Sequence, residues 1–345
     1  MTGERSGNAA PASAGEEAGG VSSRAQNTAK KILTLEPFGP DDIPPHPDFQ
    51  SQQTDPPPLH TFLNAVFIEA EKELAVPRTN IGKFKGSVSG TPVAVEKWKS
   101  SEKIDGGDEI VWFGRTSEHE EGKLVTFKEL DACLMKGHEK HEAEYTPAVY
   151  DVNTLVEWDF GGEEMVWRAG EREGKMKDVE MRITQMHHSL PGAGLLSDRL
   201  FTTLLLSFTN TSPTSTSPTT TILEAINMQI PINFPALPAT IGSRAHIRLH
   251  PSSKKYIYHN DDANATSTQK QKTKAGKDIV EGKYVSVERI RLLGEEGKGR
   301  KVVWEMKTAS EAGGKLPAWM QKMGVPGAIV KDVPLALGFI VEGRK

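Results

Sequence analysis

The chain has 345 residues, with 42 Lys and Arg against 46 Asp and Glu and a formal charge of −4 at neutral pH, so its total charge offers no general attraction to nucleic acid or to an anionic membrane. Hydrophobic residues make up 37% and 32 glycines add to them, which allows a sizeable core in one large domain with appendages, or in two domains. The single cysteine, Cys133, rules out an internal disulfide and a cysteine-rich zinc site and favours a reducing compartment, so the cytoplasm is the expected location.

Residues 1 to about 30 are Gly, Ala, Ser and Glu with almost no large apolar side chains, too few to offset the entropy of ordering the backbone, and they read as a disordered tail. No apolar run there resembles a signal peptide. Prolines crowd Pro37 to Pro58, which reads as an extended linker carrying a short Ile32, Leu33, Leu35, Phe38 patch able to dock on the body. A disordered tail plus linker over 1–56 and a folded domain over 57–345 follow.

Leu59, Phe62, Leu63, Val66, Phe67 and Ala70 recur at helical spacing and predict a helix ending before Pro77. Pro92–Lys99 and Glu109–Glu118 read as strands joined across Asp105-Gly106-Gly107-Asp108. Val125–Glu144 turns helical, with Thr126 and Glu129 spaced as a capping box and Gly137 as a break. Strand signals then return seven times up to Thr308, giving about nine strands. The Ser/Thr/Pro run at 209–221 and the polar, lysine-rich stretch at 259–278 read as low-complexity loops. Leu316–Val341 is a final helix interrupted by Pro326 and Pro334. Its apolar part, from Gly324 to Ile340, is short and carries Lys331 and Asp332, so it predicts a soluble element and no stable membrane insertion. A helix, strands, helices, more strands and one terminal helix make an α+β chain, whose antiparallel sheet needs that last helix as a cover.

The sequence lacks Gly-x-Gly-x-x-Gly, the P-loop, His-Glu-x-x-His and Gly-x-Ser-x-Gly, which removes the common nucleotide-binding, zinc-protease and serine-hydrolase chemistries. In His138-Glu139-Lys140-His141-Glu142 the histidines stand three apart, not the four of a zincin, so the segment reads as a capped, solvated helix end beside Tyr145. Neither a metal nor a cofactor is expected.

Arg115, Ser117 and His119 alternate on one strand face, so a single register turns all three inward or all three to solvent. Inward, Arg115 needs a ligand oxygen or an acid such as Glu142 or Glu144. One of His187 and His188 must face in. Trp304 and Met306 share a face of the last strand and Trp319 opens the helix over it, as cavity wall or as core.

The run Val303-Trp304-Glu305-Met306-Lys307-Thr308-Ala309-Ser310-Glu311-Ala312-Gly313-Gly314-Lys315-Leu316-Pro317-Ala318-Trp319 resembles the last strand, turn and lid-helix opening of the START-like, helix-grip superfamily, with Glu311 where Asp is more usual. Trp112-Phe113-Gly114-Arg115-Thr116-Ser117-Glu118-His119, followed by Phe127, Leu130, His138, Glu142, Glu144, Tyr145, Thr146 and Pro147, resembles within it a fungal family known only as a domain of unknown function. The likeness spans roughly Pro57 to Val341. It implies a curved antiparallel sheet wrapped around a long C-terminal helix, and a lipid or other hydrophobic small molecule as partner.

The resulting expectation is binding, extending to intracellular transfer, in a cavity gated by the terminal helix, by a monomer that touches membranes only transiently. Trp112, Arg115, Ser117, His119 and Tyr145 are candidate cavity residues, as are His187, Trp304, Met306 and Trp319; none is assigned a catalytic role. Two alternatives stand beside it. One is a cyclase-like or acid/base enzyme using Arg115, His119 or His187 on a polyketide or terpenoid. The other is an adaptor recruiting partners through its Pro-rich arm.

Overall fold

The structure, a computed structural model, describes residues 31–103, 109–190, 196–214, 217–260, 274–295, 299–311, 313 and 318–344, with backbone alone at 212–214, 217–221 and 318–324. The expected N-terminal tail, the 105–108 turn and most of the 259–278 insertion lie outside these residues. Residues 32–345 form one compact unit.

Its frame is one large curved sheet with strand order β1-β2-β3-β12-β11-β8-β7-β6-β4. The strands are β1 (Thr79–Val88), β2 (Thr91–Lys103), β3 (Glu109–Glu120), β4 (Val149–Trp158), β5 (Met165–Ala169), β6 (Arg172–His188), β7 (Asp198–Thr214), β8 (Ser217–Pro231), β9 (Ile247–Leu249), β10 (Tyr256–Tyr258), β11 (Asp278–Leu293) and β12 (Lys301–Glu311). Neighbours pair antiparallel except for a short parallel contact of Ile279–Gly282 in β11 with Asp198–Phe201 in β7. That makes twelve strands among the described residues, against about nine expected. β9 and β10 are three residues each, too short to show a period. β1 is an edge strand with a register shift between Asn80 and Gly82, and its Lys and Gly content hides it from a propensity reading.

The 209–221 run is a correction. It forms the ends of β7 and β8, whose register continues from Thr209↔Ala225 to Thr214↔Ser217. Threonine is β-branched and suits a pleated surface, which outweighs the low-complexity look of the segment.

A helix covers each face. On the outer face lies α1 (Leu59–Leu74), which buries Phe62, Leu63, Val66, Phe67 and Ala70; side chains of this kind contribute about 1.5–3 kcal/mol each when fully buried. Beneath it Lys307 Nζ donates to Glu73 Oε2 at 2.7 Å and lies 4.3 Å from the Trp112 ring centroid. Arg289 bridges Glu71 of α1, at 2.6 Å, to Glu305 of β12, at 2.7 Å.

The linker reading of 32–56 is also corrected. Ile32, Leu33, Phe38, Ile43 and Phe49 are buried in the outer core, so the body starts at Ile32 and not near Pro57. Glu69 of α1 accepts from the Ile32 and Leu33 amides, and Phe38 exchanges hydrogen bonds with Pro231 and Asn233. Prolines bring carbonyls without amides. Gln53 Nε2 answers those of Pro40, Ile43 and Pro44, and Trp158 Nε1 that of Pro45.

The other face carries α2 (Phe127–Leu134), α3 (His138–Tyr145) and α5 (Ala318–Gly343); a short α4 (Ala239–Gly242) lies between β8 and β9. The Thr126–Glu129 capping box forms as expected, and Gly137 separates α2 from α3 with φ 55°. α5 runs through Pro326 and Pro334 and packs on β1, β2, β3, α2 and α3. Ile329, Val330, Val333, Ala336 and Leu337 anchor it. The expected arrangement of a curved sheet closed by the C-terminal helix is what the chain forms. Arg344 ties the far end of α5 to α2 with two 2.6 Å bonds to Glu129 and one to the Leu124 carbonyl.

Gly114 in β3 marks a close approach. A Cβ there would lie 2.3 Å from Trp98 Cζ2, and the indole is fixed by its bond to Thr116 Oγ1 at 3.0 Å with Arg78 stacked over it. Gly114→Ala is expected to destabilise by about 1–3 kcal/mol through overpacking, read from the denaturant midpoint; a wild-type midpoint would mean that Trp98 is free to move.

Candidate functional site

Alternation along β3 sorts the candidates. Trp112 points to the outer face, under α1 and against Lys307, so it is not a cavity residue. Arg115, Ser117 and His119 point the other way, toward the face covered by α5, and all three are buried. His119 Nε2 meets Ser117 Oγ at 3.0 Å. Burial, reinforced by the Arg115 charge, pushes the His119 imidazole down to about 4, so it is neutral at physiological pH.

Arg115 is 2% exposed. Its Nη2 donates to Glu288 Oε1 of β11 at 2.6 Å, the same oxygen that accepts from Trp304 Nε1 at 2.7 Å. The guanidinium lies 4.2 Å from the Trp304 ring centroid, stacked as a cation on an aromatic face. The expected salt bridge thus exists, but with Glu288 and not with Glu142 or Glu144. Nε and Nη1 of Arg115 have no hydrogen-bond partner among the described residues, an expensive state for a buried charged donor.

Helix α3 supplies a second ion pair to the same region. His138 Nδ1 donates to the Leu134 carbonyl at 2.8 Å and Nε2 pairs with Glu142 Oε2 at 3.1 Å. Burial opposes the charge on His138, but the Glu142 carboxylate overrides it and lifts the imidazole to about 9. Glu142, in turn, is held below the usual carboxylate range by His138 against the pull of burial. The expected solvated helix end is therefore wrong at His138, which is buried: the i, i+4 pair is turned inward.

From α5 comes Asp332, pushed up to about 7 by burial, with Arg115 acting against that rise and Glu142 and Glu288 adding to it. Tyr145 and Tyr284 are raised by burial, and His188 is lowered by it. Sequence reasoning offered Glu142 as a partner for Arg115 and one of His187 and His188 as inward-facing, but missed Tyr284, Glu288 and Asp332 as members of the same cluster.

These groups share an unusual pair of properties. Protein surrounds Glu142, Tyr145, His188, Tyr284 and Asp332 so fully that desolvation is the leading influence on each. Yet all five keep some accessible surface, 21% of the side chain at Glu142. Accessible surface on side chains so enclosed is what the wall of a hollow between the sheet and α5 would show.

The other candidates divide. Trp304 and Met306 are buried on the hollow's side. Tyr145 sits on α3 with its ring 6.0 Å from that of Phe339 in α5. Trp319 lies in α5, with its side chain outside the described residues. His187 is a correction: register pairs it with Asp151 across β4 and β6, on the outer face, while its neighbour His188 turns inward. There Asp151 Oδ2 receives His246 Nδ1 and Tyr258 OH, each at 2.7 Å, with His187 Nδ1 3.9 Å away. Arg115, His119 and His187 accordingly do not converge. Among the described residues no group of three or more His, Cys, Asp or Glu could hold a metal ion, and no helix is long and apolar enough to cross a membrane.

The sequence model of a protein family described as "Protein of unknown function (DUF3074)" matches residues 112–340, more than half of the chain. The chain belongs to this family. The DUF3074 match runs from within β3 to within α5 and takes in Arg115, His138, Glu142, Glu288 and Asp332. No curated protein matches. Among solved structures, the chain is similar to the crystal structure of human STARD10, at 11% identity over 85% of this chain and 84% of that one, with a TM-score of 0.41. It is also similar to human StAR-related lipid transfer protein 5, at 10% identity over 82% and 99% and a TM-score of 0.42. A third is the human StarD13 (DLC2) lipid transfer and protein localization domain, at 10% identity over 80% and 94% and a TM-score of 0.35.

Proposed function

We propose that this DUF3074 protein binds a lipid or other hydrophobic small molecule in the hollow under α5 and releases it by movement of that helix. The observation that carries the reading is the group Glu142, Tyr145, His188, Tyr284 and Asp332, which are enclosed by protein between the sheet and α5 and still keep accessible surface. Such a site combines apolar enclosure with a few fixed polar anchors, the usual composition of a small-molecule pocket. Met306 and Tyr145 supply apolar wall, with the Arg115–Glu288 pair and Trp304 packed behind it. The lone, buried Cys133 fits action in a reducing cytoplasm.

Native mass spectrometry of protein purified from its own host tests this. A bound mass lost on denaturation is the expected result, whereas protein that arrives empty and takes up no apolar probe contradicts it.

Gly313 is the described residue between β12 and α5. Gly313 follows β12 with φ 62°, and a Cβ there would lie 2.4 Å from the Glu281 carbonyl oxygen; Arg199 Nη2 reaches its own carbonyl at 3.4 Å. Left-handed backbone and close approach together demand glycine. Gly313→Ala is expected to displace the entry to α5 and speed release of a neutral apolar fluorophore such as Nile red several-fold, measured by stopped-flow. An unchanged release rate would count against lid movement as the limiting step.

A further inference from the structure

The charged groups between the sheet and α5 do not all find partners. Arg115 and Glu288 meet at 2.6 Å, and His138 and Glu142 at 3.1 Å. Asp332 of α5 is left over. Among the described residues it has no hydrogen-bond or ion-pair partner, and the adjacent cation, Lys331, is exposed. Unlike the sealed nitrogens of Arg115, its carboxylate oxygens keep accessible surface, so a bound molecule can reach them.

The helix fixes where this carboxylate stands. Ile329, Val333 and Ala336 press one side of α5 onto the core. Asp332 lies on a different flank, seven residues and about two turns before Phe339, whose ring is 6.0 Å from that of Tyr145 and 5.8 Å from that of His141, both in α3. That flank therefore faces α3 and its His138–Glu142 pair, whose charges Asp332 feels. An enclosed carboxylate without a partner is costly, and when ionised it has only acceptors to offer. A guest that relieves it must bring an O–H or N–H donor. An ester, an ether or a plain hydrocarbon would leave it unpaired.

We infer that Asp332 determines specificity: the guest carries a hydroxyl or amino donor that the Asp332 carboxylate accepts, so this polar contact is made on the closing helix itself. This rests on the guest-binding reading above.

Displacement of Nile red from the full chain by 1-decanol and by methyl nonyl ether, an isomer without the donor, tests it. Burial lifts Asp332 to about 7, so the buffer is held above that value to keep the carboxylate ionised. The alcohol is expected to displace the dye at about tenfold lower concentration, because a site built around a hydrogen bond penalises a guest that cannot form it. Asp332→Leu abolishes that preference while the ether binds at least as well as before, which also shows that the variant is folded. Asp332→Asn, which keeps an acceptor oxygen, retains the preference. Decylamine identifies the donor: binding tighter than the alcohol's that is lost in Asp332→Asn assigns an ammonium, and otherwise the donor is a hydroxyl. Equal affinity for alcohol and ether, or a preference that survives Asp332→Leu, overturns the inference and leaves the pocket standing. If Nile red itself does not bind, the guest-binding reading fails and the inference falls with it.

Discussion

Lys307→Met is expected to destabilise the protein by about 3–5 kcal/mol, because it takes from the buried Glu73 carboxylate the cation that faces it at 2.7 Å. Both partners are deeply buried, at 1% and 7% side-chain exposure, so water cannot replace the lost charge. The loss falls on a long-range contact, since Glu73 ends α1 and Lys307 lies in β12. It should therefore loosen α1 from the sheet before the strands separate. The double variant Lys307→Met/Glu73→Leu is expected to recover most of the loss, since two apolar side chains often match or exceed a buried ion pair in stability. Urea unfolding of the two variants and the unmodified protein gives the answer, and a single variant with an unshifted midpoint would remove the pair from any account of how α1 is held.

Acidification is the second large effect. His187 is fully buried and its imidazole is pushed down to about 4 by desolvation, with Asp151 working against that push. Tyr150 and Asp151 face it from β4, Tyr258 from β10, and His246 from the segment before β9. The unfolded chain, with its imidazole at the ordinary 6.5, takes up a proton between about 6.5 and 4 that the folded chain refuses. The stability from neutral burial is thus complete above about 6.5 and lost as pH falls through that window, roughly 3 kcal/mol at its lower end. His119 adds to the same acid limb. His138 acts in the opposite sense: with its folded value lifted to about 9, its contribution is full below 6.5 and lost as pH rises through 9. Maximum stability near neutrality follows. His187→Gln should flatten the acid limb of a stability–pH curve by urea unfolding; an acid limb as steep as before would place the sensitivity elsewhere.

What the sequence disclosed and what it hid divide along physical lines. Local signals survived folding. The apolar stripe of α1, the Thr126–Glu129 capping box and the break at Gly137 depend on residues within one or two turns, and each appears as expected. Period two put Arg115, Ser117 and His119 on one face correctly, but it could not say which of His187 and His188 faces inward, because that depends on pairing with β4. Glu288, the partner of Arg115, lies 173 residues away, in a strand whose charged residues alternate between faces, so nothing near it in sequence announces the pair. Pro37 to Pro58 reads as a linker because proline carries no amide of its own, yet side-chain amides and an indole satisfy its carbonyls from elsewhere in the fold. Asp332 looked like an interruption of an apolar helix, yet it lies within reach of the charges of Arg115, Glu142, Glu288 and His138.

The edge position of β1 has a consequence for the protein in crowded solution. An unpaired strand edge is a template on which a second molecule can stack, and growth from such templates leads to aggregates. Here the register shift between Asn80 and Gly82 breaks the straight line of free backbone groups, and Lys83 and Lys85, both exposed, would bring like charges together if two copies met side by side. The β1 border of the sheet thus disfavours pairing with its own duplicate.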